Sequence, residues 1–337
     1  MKNYLINKKF TVIGGGTGTF SVLSGLKKHT DQISAIVTMA DSGGSAKKER
    51  DEWGLLQSSD VRKSLLALSS GTTDDLLLLR RLFHYRYSEG KGVAGMTFGN
   101  LFLVALTKLL HSQKKAISKA GDLLKIRGKV IPVTFDHGDL IAEYQDGSVV
   151  KGEHYIDNPK HNGRLSIKKL KIFPKVHITK EAYEAILNAD CLIIGPGGFY
   201  TTIVANLVVE GVVTAIQKSQ AKKIFVVNLM TEYGQTYNFT AYRFLQELNN
   251  YLSVNLLDYI LINNSPIPGK VLSRYRKFKA VPVFNDLPAK SSFKVIAADL
   301  LSTKIVKKEK GDILNRSLIR HDPDKISNQC LKIMNLI

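Results

Sequence analysis

Cysteine is scarce in this chain of 337 residues: there are two, Cys191 and Cys330, far apart in sequence. That argues against a disulfide-stapled scaffold, and Cys191, inside an apolar run, is expected to be a buried free thiol. No apolar run reaches the roughly 18 residues of a membrane span. The start carries Lys2, Lys8 and Lys9 and passes at once into strand-like sequence, so no secretory leader is expected. The eight histidines are scattered without metal-ligand spacing, which argues against a structural zinc site and leaves no metal expected from them. Internal repeats, low-complexity tracts and linkers are missing too. With 44% apolar residues, these absences describe an ordinary globular, cytoplasmic protein, large enough for a full core.

Acidic residues are also few, 29 against 48 Lys+Arg, for a formal charge of +19. Such a charge suits nucleic acid, suits anionic small ligands, or is simply a lysine-coated surface. The lysines are spread along the chain and not interleaved with stacking aromatics. No helix-turn-helix, RNP or zinc-finger pattern accompanies them, so nucleic acid is not an expected partner.

What is present is a strand–glycine–helix junction, Thr11–Leu26 (TVIGGGTGTFSVLSGL). Thr11-Val12-Ile13 is β-like, Gly14, Gly15, Gly16 and Gly18 follow, and a helix over Phe20–Lys28 is predicted. Backbone N–H groups and the positive end of a helix converge there, which suits a phosphate. The match to the dinucleotide fingerprint is partial: Gly14-x-Gly16 is present, but Thr19 stands where the third glycine belongs. No Gly-Lys-Ser/Thr follows, so it is not a P-loop. Ile33–Met39 is predicted as a buried parallel strand. Asp41 lies about 20 residues beyond the turn, where a ribose-binding acid sits in Rossmann proteins.

Further along, Lys47–Trp53 is a charged loop or helix, and Ser58-Ser59-Asp60 is expected to cap a helix over Val61–Leu68. Helices are predicted over Asp74–Tyr87, Leu101–Leu110 (opened by Asn100) and Lys114–Lys125. Strands over Val130–Phe135, Leu140–Tyr144, Ser148–Lys151 and Ser166–Phe173, with a hairpin turn at Asp146-Gly147, suggest an antiparallel excursion over residues 130–173. Strand Cys191–Ile194 then enters a second glycine turn, Gly195-Pro196-Gly197-Gly198, before a helix from Thr201. Strands Lys223–Val227 and Tyr259–Ile262 end in Asn228 and Asn263, residues expected at the carboxyl edge of a parallel sheet, where ligands bind. Asp322-Pro323 opens the last helix. The fold class is therefore α/β: a Rossmann-like, doubly wound, mainly parallel sheet with a small antiparallel excursion, in a single domain over residues 1–337.

Five stretches, in order, resemble one family: Gly14–Gly18, Ala40-Asp41-Ser42-Gly43-Gly44-Ser45, Gly99-Asn100-Leu101, Gly195–Thr201 (GPGGFYT) and Asn228-Leu229-Met230-Thr231. Ile319-Arg320-His321-Asp322 adds a sixth. They are similar to the YvcK-type gluconeogenesis factors, which share a fold with the CofD phospholactate transferases. The resemblance implies a nucleotide or nucleotide-sugar ligand, UDP-sugars above all, and a regulatory role in central carbon balance, cell-wall supply and cell shape; a homodimer is expected. It implies a ligand site made of Gly15, Gly16, Thr17, Gly18, Asn100, Gly197, Gly198, Tyr200, Thr201, Asn228, Asn263, Tyr275 (ahead of a strand over Val281–Val283) and Arg320. It does not establish a reaction for this branch. An alternative is a CofD-like transferase, with Asp41 and Asp60 as catalytic candidates that could hold Mg²⁺. A further alternative, from the glycine turn and Asp41, is an NAD-binding oxidoreductase, for which no proton donor is evident. Two departures bear on catalysis: Ser42 stands where a second acid is common, and Gln57-Ser58-Ser59 replaces a proline- and glycine-containing run before Asp60. A lost carboxylate weakens a divalent-metal site.

Overall fold

The computed structural model describes residues 6–40, 44–158, 160–253, 255–303 and 318–337. Its strands in chain order are β1 (Phe10–Gly14), β2 (Ile33–Val37), β3 (Lys129–Pro132), β4 (Asp139–Tyr144) and β5 (Val149–Lys151). Then come β6 (Ile167–Phe173), β7 (Cys191–Ile194), β8 (Lys222–Val226), β9 (Tyr259–Asn263) and β10 (Lys294–Ala298). Seven of them make one sheet in the order β10-β9-β8-β7-β1-β2-β3, parallel throughout. The other three make an antiparallel sheet, β5-β4-β6. The fold is the expected Rossmann-like α/β architecture.

Apolar alternation distributes the central strands between two cores. Phe10, Val12, Ala35, Val37, Cys191 and Ile193 face one side of the sheet, with Val22, Leu23, Leu65, Ile326 and Leu331 from helices packed there. Ile13, Ile36, Leu192, Ile194 and Phe225 face the other, against helix residues Ile186, Ile216 and Phe244 and the inner face of the small sheet, Leu140, Ala142, Tyr144 and Leu170. Successive strand residues point to opposite faces, so a strand apolar at every position must be covered twice. Each fully buried Leu, Ile or Phe contributes about 1.5–3 kcal/mol. Both cysteines are buried and free.

Several boundaries differ from the sequence reading. The strand at 129–132 pairs with β2 in the parallel sheet, so the antiparallel section starts at Asp139. An apolar run buried on both faces does not reveal its neighbour, which tertiary pairing sets. Asn100 does not open its helix: Phe98–Leu110 is capped by the Thr97 side chain, which accepts from the Asn100 N–H. The predicted strand over Val281–Val283 is a single antiparallel bridge, Met230 to Pro282, because proline has no N–H to extend a ladder. Helix Gly269–Lys277 and strand β10 were not anticipated. The predicted capping by Asp322 is present: its carboxylate accepts from the N–H groups of Asp324 and Lys325, with Pro323 first in the helix Pro323–Ile333.

Candidate functional site

Strand order reverses at β1. From there the chain winds outward through β2 and β3 on one side, and β7 to β10 fill the other. Parallel α/β sheets bind ligands at such a switch point, beyond the carboxyl ends of the strands, because the diverging helices leave a crevice there. Here the two strands at the reversal are β1 and β7, and each ends in glycines.

The two glycine turns are packed on one another. The Gly195 N–H donates to the Ile13 carbonyl at 2.9 Å, and the Thr19 hydroxyl donates to the Pro196 carbonyl at 3.2 Å. A Cβ on Gly18 would fall 2.5 Å from the Pro196 oxygen, and one on Gly197 would fall 2.8 Å from the Gly15 oxygen. Glycine is required at both for this approach. Gly16 differs. Its φ of +67° is the left-handed region, yet nothing lies within 4 Å of where its Cβ would be. Gly16 opens the helix Gly16–Leu26, which no side chain caps. The first N–H groups of a helix have no intrahelical acceptor. The solvent-facing tips, Gly16-Thr17-Gly18 and Gly197-Gly198, are partly exposed, whereas Gly15, Gly195 and Pro196 are buried. The arrangement is a shared ledge of backbone donors suited to an anion.

Asp60 meets this ledge from the helix Ser59–Leu68: a Cβ on Gly15 would lie 2.1 Å from its Oδ2. Its Oδ1 accepts from Lys63 Nζ at 2.9 Å. Asp41 lies outside the described residues. Among those described, no three His, Cys, Asp or Glu side chains group as a metal site, and Asp60, already paired with Lys63, is by itself a poor donor set for Mg²⁺.

The other expected ligands are distributed unevenly. Asn228 braces the second turn, its Nδ2 donating to the Gly197 carbonyl at 2.8 Å. Asn263 joins loops beyond β9 and β10, donating to the Ser265 carbonyl and accepting from the Leu300 N–H. Asn100 does not face the ledge. It is buried, accepting from Arg62 Nε at 2.8 Å and donating to Glu49 Oε1 at 2.7 Å, in a network that also holds Ser58 on Glu49. Tyr200 is likewise a core residue, fully buried against Phe199, with its hydroxyl on the Ile167 carbonyl; burial pushes its pKa far up. That corrects the expectation that its hydroxyl reaches ligand. A π-helix, Phe199–Val204, turns this aromatic pair inward, and the Thr201 hydroxyl donates to Asp157 Oδ1 at 2.9 Å. Tyr275 is buried as well. Its hydroxyl oxygen accepts from the N–H groups of Leu318 and Ile319, so it anchors the segment carrying Arg320. That segment crosses the carboxyl edge of the sheet. Leu301 bridges His321, and the His321 ring is buried, which lowers its pKa to about 4. Arg320 is half-buried there, close enough for its charge to act on Tyr275.

Three groups were not anticipated. Asn206 donates to the Gly14 and Thr202 carbonyls, holding the first turn from below. Thr202 packs against Gly15 and Gly197. Gln235 Nε2 links two carboxylates, Asp157 at 2.7 Å and Glu232 at 3.2 Å, tying the small sheet's helix Glu153–Asp157 to the loop after β8. Burial, with Asp157 adding its charge, pushes the Glu232 carboxyl up to about 8. Local sequence carries no sign of these contacts, since each partner is more than 70 residues away or lies across a turn.

Residues 10–301 match the family model described as 2-phospho-L-lactate transferase CofD. The chain belongs to the CofD family. Within that family it is 37% identical over 326 residues to a gluconeogenesis factor of Halalkalibacterium halodurans, covering 96% of each chain. To the gluconeogenesis factor of Bacillus subtilis it is 34% identical over 327 residues, covering 97% of this chain and 98% of that one. A crystal structure from Bacillus halodurans, titled as a member of the UPF0052 family, superposes with a TM-score of 0.85 at 34% identity, covering 97% of this chain and 100% of that one. Among the described residues no helix is long and apolar enough to cross a membrane.

Proposed function

We propose that this CofD-family chain binds a nucleotide, in the first place a UDP-sugar, on the ledge formed by Gly16–Gly18 and Gly197-Gly198, and acts as a regulator of carbon metabolism and cell-wall supply. The observation that carries the reading is the contact between the two glycine turns at the sheet's switch point, with open space over Gly16. A diphosphate laid there would accept from the first N–H groups of the Gly16–Leu26 helix and from the Gly198 N–H, the Gly197 N–H being taken by Asn228 Oδ1 at 3.5 Å, and Arg320, from the segment crossing the same edge, would supply a forked cation. The names of the relatives support the metabolic side of the reading. Calorimetric titration with UDP-sugars, GDP and NAD tests it. Saturable UDP-sugar binding is expected, and no heat from any nucleotide at millimolar concentration would refute it.

A transferase reading is second, favoured by the family description and by Asp60 at the turn. Turnover of a nucleotide-activated phospholactate with a deazaflavin acceptor and Mg²⁺ would support it. The likeness to CofD and the gluconeogenesis factors does not favour the oxidoreductase alternative.

A further inference from the structure

Part of the +19 charge is concentrated away from the glycine turns. Five of the ten residues 270–279 (KVLSRYRKFK) are Lys or Arg, and no Asp or Glu occurs from Tyr259 to Asn285. These cations lie on the helix Gly269–Lys277 and the turn after it. Val271 and Tyr275 face inward, in one cluster with Leu229, Met230 and Ile319. Lys270, Arg274 and Lys277 recur at i, i+4 and i+7 on the opposite side and are exposed, with Arg276 exposed beside them. None of these four has a carboxylate partner among the described residues. Lys279 meets a neutral group, the Tyr233 hydroxyl, at 3.2 Å. Like charges at this spacing destabilise a helix. Among the described residues nothing offsets that repulsion, so the stripe suits an anion from outside the chain.

Apolar side chains continue the surface. Phe278, Val281 and Phe284 are 51%, 38% and 69% exposed. Their segment is fixed beside the helix: the Thr231 N–H donates to the Val281 carbonyl at 2.8 Å, and the Val283 N–H donates to the Leu229 carbonyl at 3.1 Å. Charge and apolar surface together select the occupant. A free phosphate would use the cations and leave the apolar groups in water. A nucleic-acid strand stacks its bases on aromatic rings, and the exposed aliphatic Val281 and Pro282 offer it no such face. An anionic bilayer uses both, with headgroups against the cations and the acyl boundary against Phe and Val.

We propose that the helix Gly269–Lys277 and the segment 278–284 form a peripheral docking face for an anionic membrane surface. Lys270, Arg274, Arg276 and Lys277 lie at the headgroups, and Phe278, Val281 and Phe284 reach the acyl boundary. The chain rests on the bilayer through this face. Tyr275 of the same helix holds Leu318 and Ile319, so docking brings the carboxyl edge of the main sheet to the lipid. The proposal is independent of what the glycine ledge binds.

Cosedimentation of the full chain with phosphatidylcholine vesicles, with and without phosphatidylglycerol, tests it. Saturable capture is expected with phosphatidylglycerol and none without it. Capture should fall as salt rises from about 0.1 M to 1 M, which shortens the screening length from about 10 Å to 3 Å. Each cation near such a surface contributes about fivefold to partitioning, so Lys270→Glu/Arg274→Glu/Lys277→Glu should weaken it about a hundredfold or more. Lys115→Glu/Lys119→Glu/Lys125→Glu, the same charge change at exposed sites on another part of the chain, should retain most of the capture. Circular dichroism and melting temperature should match wild type in both. If the helix variant does not fold, Phe284→Asp carries the test and should weaken capture at least tenfold. A wild type that ignores phosphatidylglycerol vesicles overturns the proposal. So does equal loss in the two triple variants, which would make the attraction a property of net charge alone, or capture indifferent to the helix variant and to Phe284→Asp. A chain that ignores vesicles but binds single-stranded RNA through Lys270, Arg274 and Lys277 would overturn it too and assign the face to nucleic acid.

Discussion

Gly16 and Gly18 sit two residues apart under different constraints. Gly18 touches the Pro196 peptide, so Gly18→Ala would force the two turns apart and should cost about 1–3 kcal/mol of stability. Gly16 has open space, and Gly16→Val mainly meets the left-handed φ, at roughly 1–2 kcal/mol. The valine would fill the space assigned to phosphate. Gly16→Val is therefore expected to fold and lose nucleotide binding, and Gly18→Ala to melt earlier; thermal melts and titration separate the two. Unchanged affinity in folded Gly16→Val would move the anion site to Gly197-Gly198.

Arg320 belongs to the same scale. If its guanidinium holds phosphate, Arg320→Ala should weaken binding by about 1.5–3 kcal/mol. Arg320→Lys should recover only part, since an ammonium cannot reproduce the planar fork. Equal affinities for all three proteins would remove Arg320 from the site. Its placement was legible as a motif, but its anchoring was not. Tyr275, expected beside a ligand, instead binds the backbone of Leu318 and Ile319, 43 and 44 residues away.

Between elements, the Asp157–Gln235–Glu232 link joins the small sheet to the main one. Glu232 is held at about 8 in the folded chain, against about 4.3 for an unperturbed glutamate. Between these values the folded state keeps a proton that the unfolded state has lost. Stability from this group is therefore full below about pH 4.3 and falls as pH rises through 8. Glu232→Gln removes the titration and keeps an acceptor for Gln235. The melting temperature of the variant relative to wild type should rise from pH 5 to pH 8.5. Parallel melting curves across that range would show that the link bears no such proton. The sequence marked Gly195–Gly198 as a turn, with Gly197, Gly198, Tyr200 and Thr201 expected to line one cleft. It could not show that Phe199 and Tyr200 point inward, because a π-helical turn changes which side chains share a face.

Across the whole molecule, the two cysteines report on integrity. Cys191 and Cys330 lie in the same core, and burial pushes both thiols above their ordinary pKa. A thiolate is the reactive form. Native protein should therefore leave both unlabelled by a thiol reagent over the time in which denatured protein labels two. Fast labelling of the native chain would mean that the helix Pro323–Ile333 opens from the sheet.

The sequence by itself determined the class of the fold, the two glycine turns, the Asp322 cap and the family. Those rest on local matters: apolar runs that must be buried twice, turns that only glycine permits, and a carboxylate within reach of the next N–H groups. Tertiary structure alone decided that the turns touch, since residues 14–18 and 195–198 meet only because β7 lies beside β1. It decided that Asn100 and Tyr200 are buried and that β3 belongs to the parallel sheet. It also decided that the leucines of Asp74–His84 divide between core and surface. The reason is the same throughout: a residue's chemistry is local, but which partner reaches it depends on strand order and helix rotation, which nothing within a few residues encodes.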